Sequence, residues 1–120
     1  MAPEEIIKEM RSTSLMLQQS VADIVPLASK MANAQKDYRI KLSSEIVRLR
    51  IDGVPVGLSE TIAKGREDVA NLKVAYIVAE AEHKACIKSI SVNIVVADSL
   101  RSLLKASKDE NTAARKNFYD

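Results

Sequence analysis

Four basic residues fall within a dozen positions of this chain: Arg39, Lys41, Arg48 and Arg50. On a helix Lys41 and Arg48, seven residues apart, share a face, and Arg39 and Arg50 lie on neighbouring faces. Guanidinium groups hold phosphate through parallel N–H donors, so this set suits an anionic ligand. Lys64 and Arg66 join it beside the free N–H groups of a helix starting near residue 67. Two readings stand open for these six residues. One is an anion-binding surface; the other is a charged helix face on which Asp37 and Glu45 are local partners. Glu67 and Asp68 already place negative charge at that helix start.

Other chemistry has less behind it. His83 and Cys86, one helical turn apart, have the residue types of a metal pair or of a nucleophile with its base. The chain holds one His and one Cys, so a ligand set would need symmetry to complete it. A buried thiol beside a hydrogen-bonded histidine is the plainer reading. Glu80 and Lys84 form an i,i+4 pair, which with Glu82 and Lys88 reads as a solvated face. Gly53, Gly57 and Gly65 match neither dinucleotide nor phosphate-loop spacing, and no strand precedes them. No catalytic residue, metal or cofactor is therefore expected, and the chain reads as non-enzymatic.

The elements that must position these residues are helices. A length of 120 residues fits one domain, and 47% hydrophobic with 28% charged residues fits a packed fold rather than a disordered chain. Only 3% of residues are aromatic, so the core is aliphatic. Three Gly and three Pro are too few for the frequent turns of a sandwich or barrel. The net charge of +2 argues against a general nucleic-acid coat. Its excess is local: residues 36–66 hold seven basic and four acidic groups, and the remaining segments are close to balance. No leader or membrane-spanning run is visible, and a lone thiol fits a reducing cytoplasm.

Met10, Leu17, Ile24, Met31 and Tyr38 recur every seven residues, with Ser14, Val21, Ala28, Gln35, Leu42 and Leu49 as companions four residues on. Pro26 interrupts this seam, which predicts a kink or two helices, 4–25 and 27–51. Asp52-Gly53 is the expected stop. Ser59 is placed to cap a short helix, 59–64, which Gly65 would end in the left-handed conformation. A last helix over 67–106 carries Val69, Tyr76, His83, Ile90, Ala97 and Leu104 in one row and Leu72, Ala79, Cys86, Asn93 and Leu100 in the other. Its stretches Val74–Ala79 and Val92–Ala97 are apolar on nearly every side and require cover from several helices. Tyr76, His83, Ile90 and Asn93 are accordingly expected at an oligomer seam, with Asn93 fixing register. Residues 107–120 read as a polar tail tipped by Phe118 and Tyr119.

The run Leu42-Ser43-Ser44-Glu45-Ile46-Val47-Arg48-Leu49-Arg50, then Asp52-Gly53-Val54-Pro55-Val56, Ile62-Ala63-Lys64-Gly65 and Val69-Ala70-Asn71-Leu72, resembles small helical-hairpin accessory proteins of bacteriophages and prophages. The likeness covers about residues 38–106. It implies an accessory phage protein without an assigned activity, working in the host cytoplasm. The expectation is an all-α antiparallel long-helix hairpin with an additional kinked N-terminal helix, a single domain over 1–106 that forms a homo-oligomeric bundle. Its expected role is counter-defence by sequestering a host protein or an anionic nucleotide. The alternative is an accessory factor in phage DNA replication or recombination, with nucleic acid as partner.

Overall fold

A computed structural model describes residues 1–119, with side chains through residue 115. Among them the chain is all-α: α1 spans Pro3–Ile51, α2 Val56–Gly65 and α3 Glu67–Tyr119. Pro3 opens α1, where its missing N–H costs nothing, and Glu4 and Glu5 complement the positive end. Helix α1 then runs through Pro26 as one helix, so the sequence-based boundary between 25 and 27 is not a break. The proline has no N–H to give the Ala22 carbonyl, and the hydrogen bonds on either side carry the helix past it.

The end of α1 follows the residues closely. Gly53 takes φ +93°, its N–H donates to the Arg50 carbonyl at 3.1 Å, and the Val54 N–H donates to Leu49 at 3.0 Å. This six-to-one and five-to-two pair is a Schellman stop, and glycine is the residue that accepts that φ without strain. Helix α2 starts earlier than expected, at Val56 after Pro55. Ser59 is therefore not its cap: it lies fully buried in the first turn and donates its hydroxyl to the carbonyls of Val54 (3.1 Å) and Pro55 (2.9 Å). Gly65 stays helical, contrary to the left-handed ending expected of it. Arg66 breaks the chain instead, with φ −69° and ψ 138°. Its N–H closes α2 on the Ala63 carbonyl, and its own carbonyl accepts from Ala70 to open α3. One residue thus ends one helix and begins the next. After Gly65 the sequence has no Gly or Pro, and α3 continues past 106 to Tyr119, so residues 107–119 are helix and not a loose tail. The side chains of Phe118 and Tyr119 lie outside the described residues.

The chain forms two compact units. One is Ile24–Ala85; the other combines Met1–Asp23 with the chain from Cys86 onward. In the latter, Ile6, Thr13, Cys86, Asn93 and Leu100 are buried, with Met10, Leu17, Ile90, Ala97 and Leu104 half-buried beside them. Thr13 and Ser20 take the inner positions expected of Ser14 and Val21, which are exposed. The reason is a polar seam. Ser20 Oγ and Ser89 Oγ are 3.0 Å apart, Asn93 Nδ2 donates to Ser89 Oγ at 3.2 Å, and the Cys86 thiol donates to the Ser20 carbonyl at 3.1 Å. Small side chains let the two helices close on each other, and Ser20 gives the Ser89 hydroxyl a partner on α1 that valine could not.

In the Ile24–Ala85 unit the start of α3 runs antiparallel to the end of α1. Lys30 pairs with Glu82 at 2.9 Å, the Lys73 ammonium sits 4.9 Å from the Tyr38 ring centre, and Lys41 pairs with Asp68 at 3.2 Å. Leu49, Ala63, Val69 and Ala79 are its buried apolar residues. Tyr76 and His83 are half-buried in the same row as Val69. Of the four residues expected between copies, Tyr76, His83 and Ile90 are half-buried and Asn93 is buried within the single chain.

Candidate functional site

The row of Met10, Leu17, Ile24, Met31 and Tyr38 has its next member at Glu45. Its period places a carboxylate where a leucine is ordinary, and Glu45 is only 4% exposed. Buried carboxylates need counter-charges and hydrogen bonds. Three cations supply the charge: Arg66 Nε at 3.3 Å, Arg48 at 3.5 Å and Lys41 at 3.6 Å. Lys41 and Arg48 come from the turns of α1 on either side of Glu45. Arg66 comes from the joint of α2 and α3, whose extended backbone turns the side chain back towards α1.

These residues, with Glu67, Asp68 and Asn71, line an open cleft of about 500 Å³. Lys41 also reaches Asp68 at 3.2 Å. Hydrogen bonding to Asp68 and its charge hold the Lys41 ammonium above its ordinary value, and the same contact holds Asp68 below its own. Arg66 Nε and Glu45 Oε2 are both buried, and neither has a hydrogen bond: their separation suits an ion pair, but the N–H is not aimed at the oxygen. Each guanidinium has five N–H donors and the ammonium three, more than the two acids facing them engage. Arg48 is 61% exposed at the cleft mouth, with donors free for an incoming acceptor.

Of the six residues singled out as an anion surface, the structure brings together Lys41, Arg48 and Arg66. Lys64 is spent on Glu60 at 2.9 Å, Arg50 borders a separate depression with Val47 and Ile51, and Arg39 is exposed with no ion-pair partner among the described residues. Glu45, read from sequence as a local partner, is the centre of the group. The heptad count carried that signal. The Cys86 thiol is buried and committed to a backbone carbonyl. Among the described residues there is no group of three or more His, Cys, Asp and Glu suited to a metal, and no helix long and apolar enough to cross a membrane. No family model, no curated protein and no solved structure matches this chain.

Proposed function

We propose that this chain is a non-enzymatic binding protein that sequesters a small phosphate-bearing anion, a nucleotide, in the cleft of Lys41, Arg48 and Arg66. The observation that carries the reading is the buried Glu45 carboxylate with three cations drawn around it. Glu45 restrains those long side chains before a ligand arrives, so less freedom is lost on binding. Their outward donors suit phosphate oxygens. Asn71, at the edge of the cleft, both donates and accepts, as contact with a base or hydroxyl requires. The likeness of the helix edges to phage accessory proteins gives the sequestration a purpose: removal of a host nucleotide signal in the host cytoplasm.

Titration calorimetry with a cyclic dinucleotide, a nucleoside triphosphate and single-stranded DNA tests the reading. Binding of a nucleotide without turnover, lost in Arg48→Glu and kept in Arg50→Glu, is the expected result. Equal affinity of wild type and Arg48→Glu overturns it, as does the absence of any nucleotide binding. Preference for single-stranded DNA with a steep salt dependence would transfer the protein to the DNA-factor class.

A further inference from the structure

The cleft between α1 and the start of α3 is lined by as many acids as cations: Glu45, Glu67 and Asp68 stand with Lys41, Arg48 and Arg66. A bare phosphate would meet three carboxylates along with its three cations, and like charges brought together oppose binding. A ligand that also carries N–H donors turns those acids to use. The acids are not equally free. Asp68 is occupied on both oxygens, Oδ2 by the Lys41 ammonium at 3.2 Å and Oδ1 by the Val69 N–H at 2.9 Å. Glu45, its side chain 5% exposed, is committed to the cations around it, yet its Oε2 has no hydrogen bond. A buried acceptor without a donor is uncommon in a finished fold and marks the cleft as one that a ligand completes. Glu67 is exposed in the first turn of α3 and has no ion-pair partner among the described residues.

We propose, resting on the reading that this cleft takes a nucleotide, that it selects guanine over adenine and that the Glu67 carboxylate makes the choice. The Watson–Crick edge of guanine presents two adjacent donors, N1–H and the N2 amino group, and the two oxygens of one carboxylate accept both. Adenine presents a single donor there, its N6 amino group, beside the N1 lone pair. That lone pair faces the second carboxylate oxygen, acceptor against acceptor. An unmatched polar pair of this kind is how a site rejects a base of nearly the same shape. Glu67 follows Arg66 directly in the chain, so a base edge on Glu67 and a phosphate on Arg66 and Arg48 share one cleft.

Titration calorimetry of the full chain with GTP, inosine triphosphate and ATP, on wild type and Glu67→Gln, tests the proposal. Wild type is expected to bind GTP at least about 10-fold more tightly than ATP, the worth of one hydrogen bond to a charged group. Inosine triphosphate, which keeps N1–H and lacks the amino group, should fall between them. Glu67→Gln is expected to bring GTP and ATP to near parity, because a side-chain amide also pairs with adenine. Arg48→Glu should weaken all three alike. Equal affinity of wild type for GTP and ATP overturns guanine selection and leaves nucleotide binding standing. A GTP preference that survives in Glu67→Gln overturns the assignment to Glu67. Absence of binding by all three overturns the nucleotide reading and this inference with it.

Discussion

The Lys41 ammonium stands 3.2 Å from the Asp68 carboxylate and joins the last part of α1 to the first turn of α3. Asp68 is held below its ordinary value of 3.8 by this contact. A carboxyl with a lowered folded value contributes stability above its ordinary pKa and loses it as pH falls through the folded value. Lys41 is held above 10.5, so its share is complete below that pH and is lost as pH rises through the raised value. The pair therefore contributes evenly across neutral pH. In urea titrations at a series of pH values, Asp68→Asn should be less stable than wild type at neutral pH, with the gap closing in acid. A gap that stays constant into acid would show that the contact does not form.

Glu45→Ala removes the anion from beneath three cations and opens a void. Breaking one side of a fully buried ion pair costs about 3–5 kcal/mol, and the partial exposure of these cations lowers the expected loss to about 1–3 kcal/mol. Arg48→Ala, at the exposed mouth, should cost less than about 1 kcal/mol. Denaturant melts compare the two, and an equal loss would mean that Glu45 is not the centre of the group.

Two substitutions test the joint between α1 and α2. Gly53→Ala forces a side chain into a left-handed φ of +93° and should cost about 1–2 kcal/mol. Ser59→Ala leaves the Val54 carbonyl without its side-chain donor and should cost about 1 kcal/mol. Thermal unfolding reads both. A neutral Gly53→Ala would place the end of α1 elsewhere.

Pro26→Ala should stabilise the chain. Restoring a donor for the Ala22 carbonyl and relieving the ring clash is worth up to about 3 kcal/mol in an uninterrupted helix. A higher urea midpoint with an unchanged slope is the expected signature. A lower midpoint would mean that the proline holds a bend on which packing depends.

Helix content, the glycine stop at Gly53 and the buried rows of α3 were legible from spacing alone, because a long helix repeats one rule many times. The inner row of α1 near Thr13 and Ser20 was not. Hydropathy favours Val21 there, and only the partner helix, with Ser89 and Cys86 opposite, shows why Ser20 wins. Of the cleft, the sequence marked cations by type; it did not reveal that Arg66, distant along the chain, turns back to Glu45, because that depends on one extended residue between two helices.

The hydroxyls of Ser20 and Ser89 also act as a ratchet tooth. Two smooth aliphatic stripes slide past each other in heptad steps at little cost, since every step restores the same kind of contact. Here a slip of one heptad would bring Ser20 opposite Val96 and break both contacts that Ser20 makes with α3, its hydroxyl with Ser89 and its carbonyl with the Cys86 thiol. The alignment of these two helix segments is therefore chosen by a serine pair and a thiol, and a deletion of seven residues from either helix should not be absorbed by a slide of one heptad.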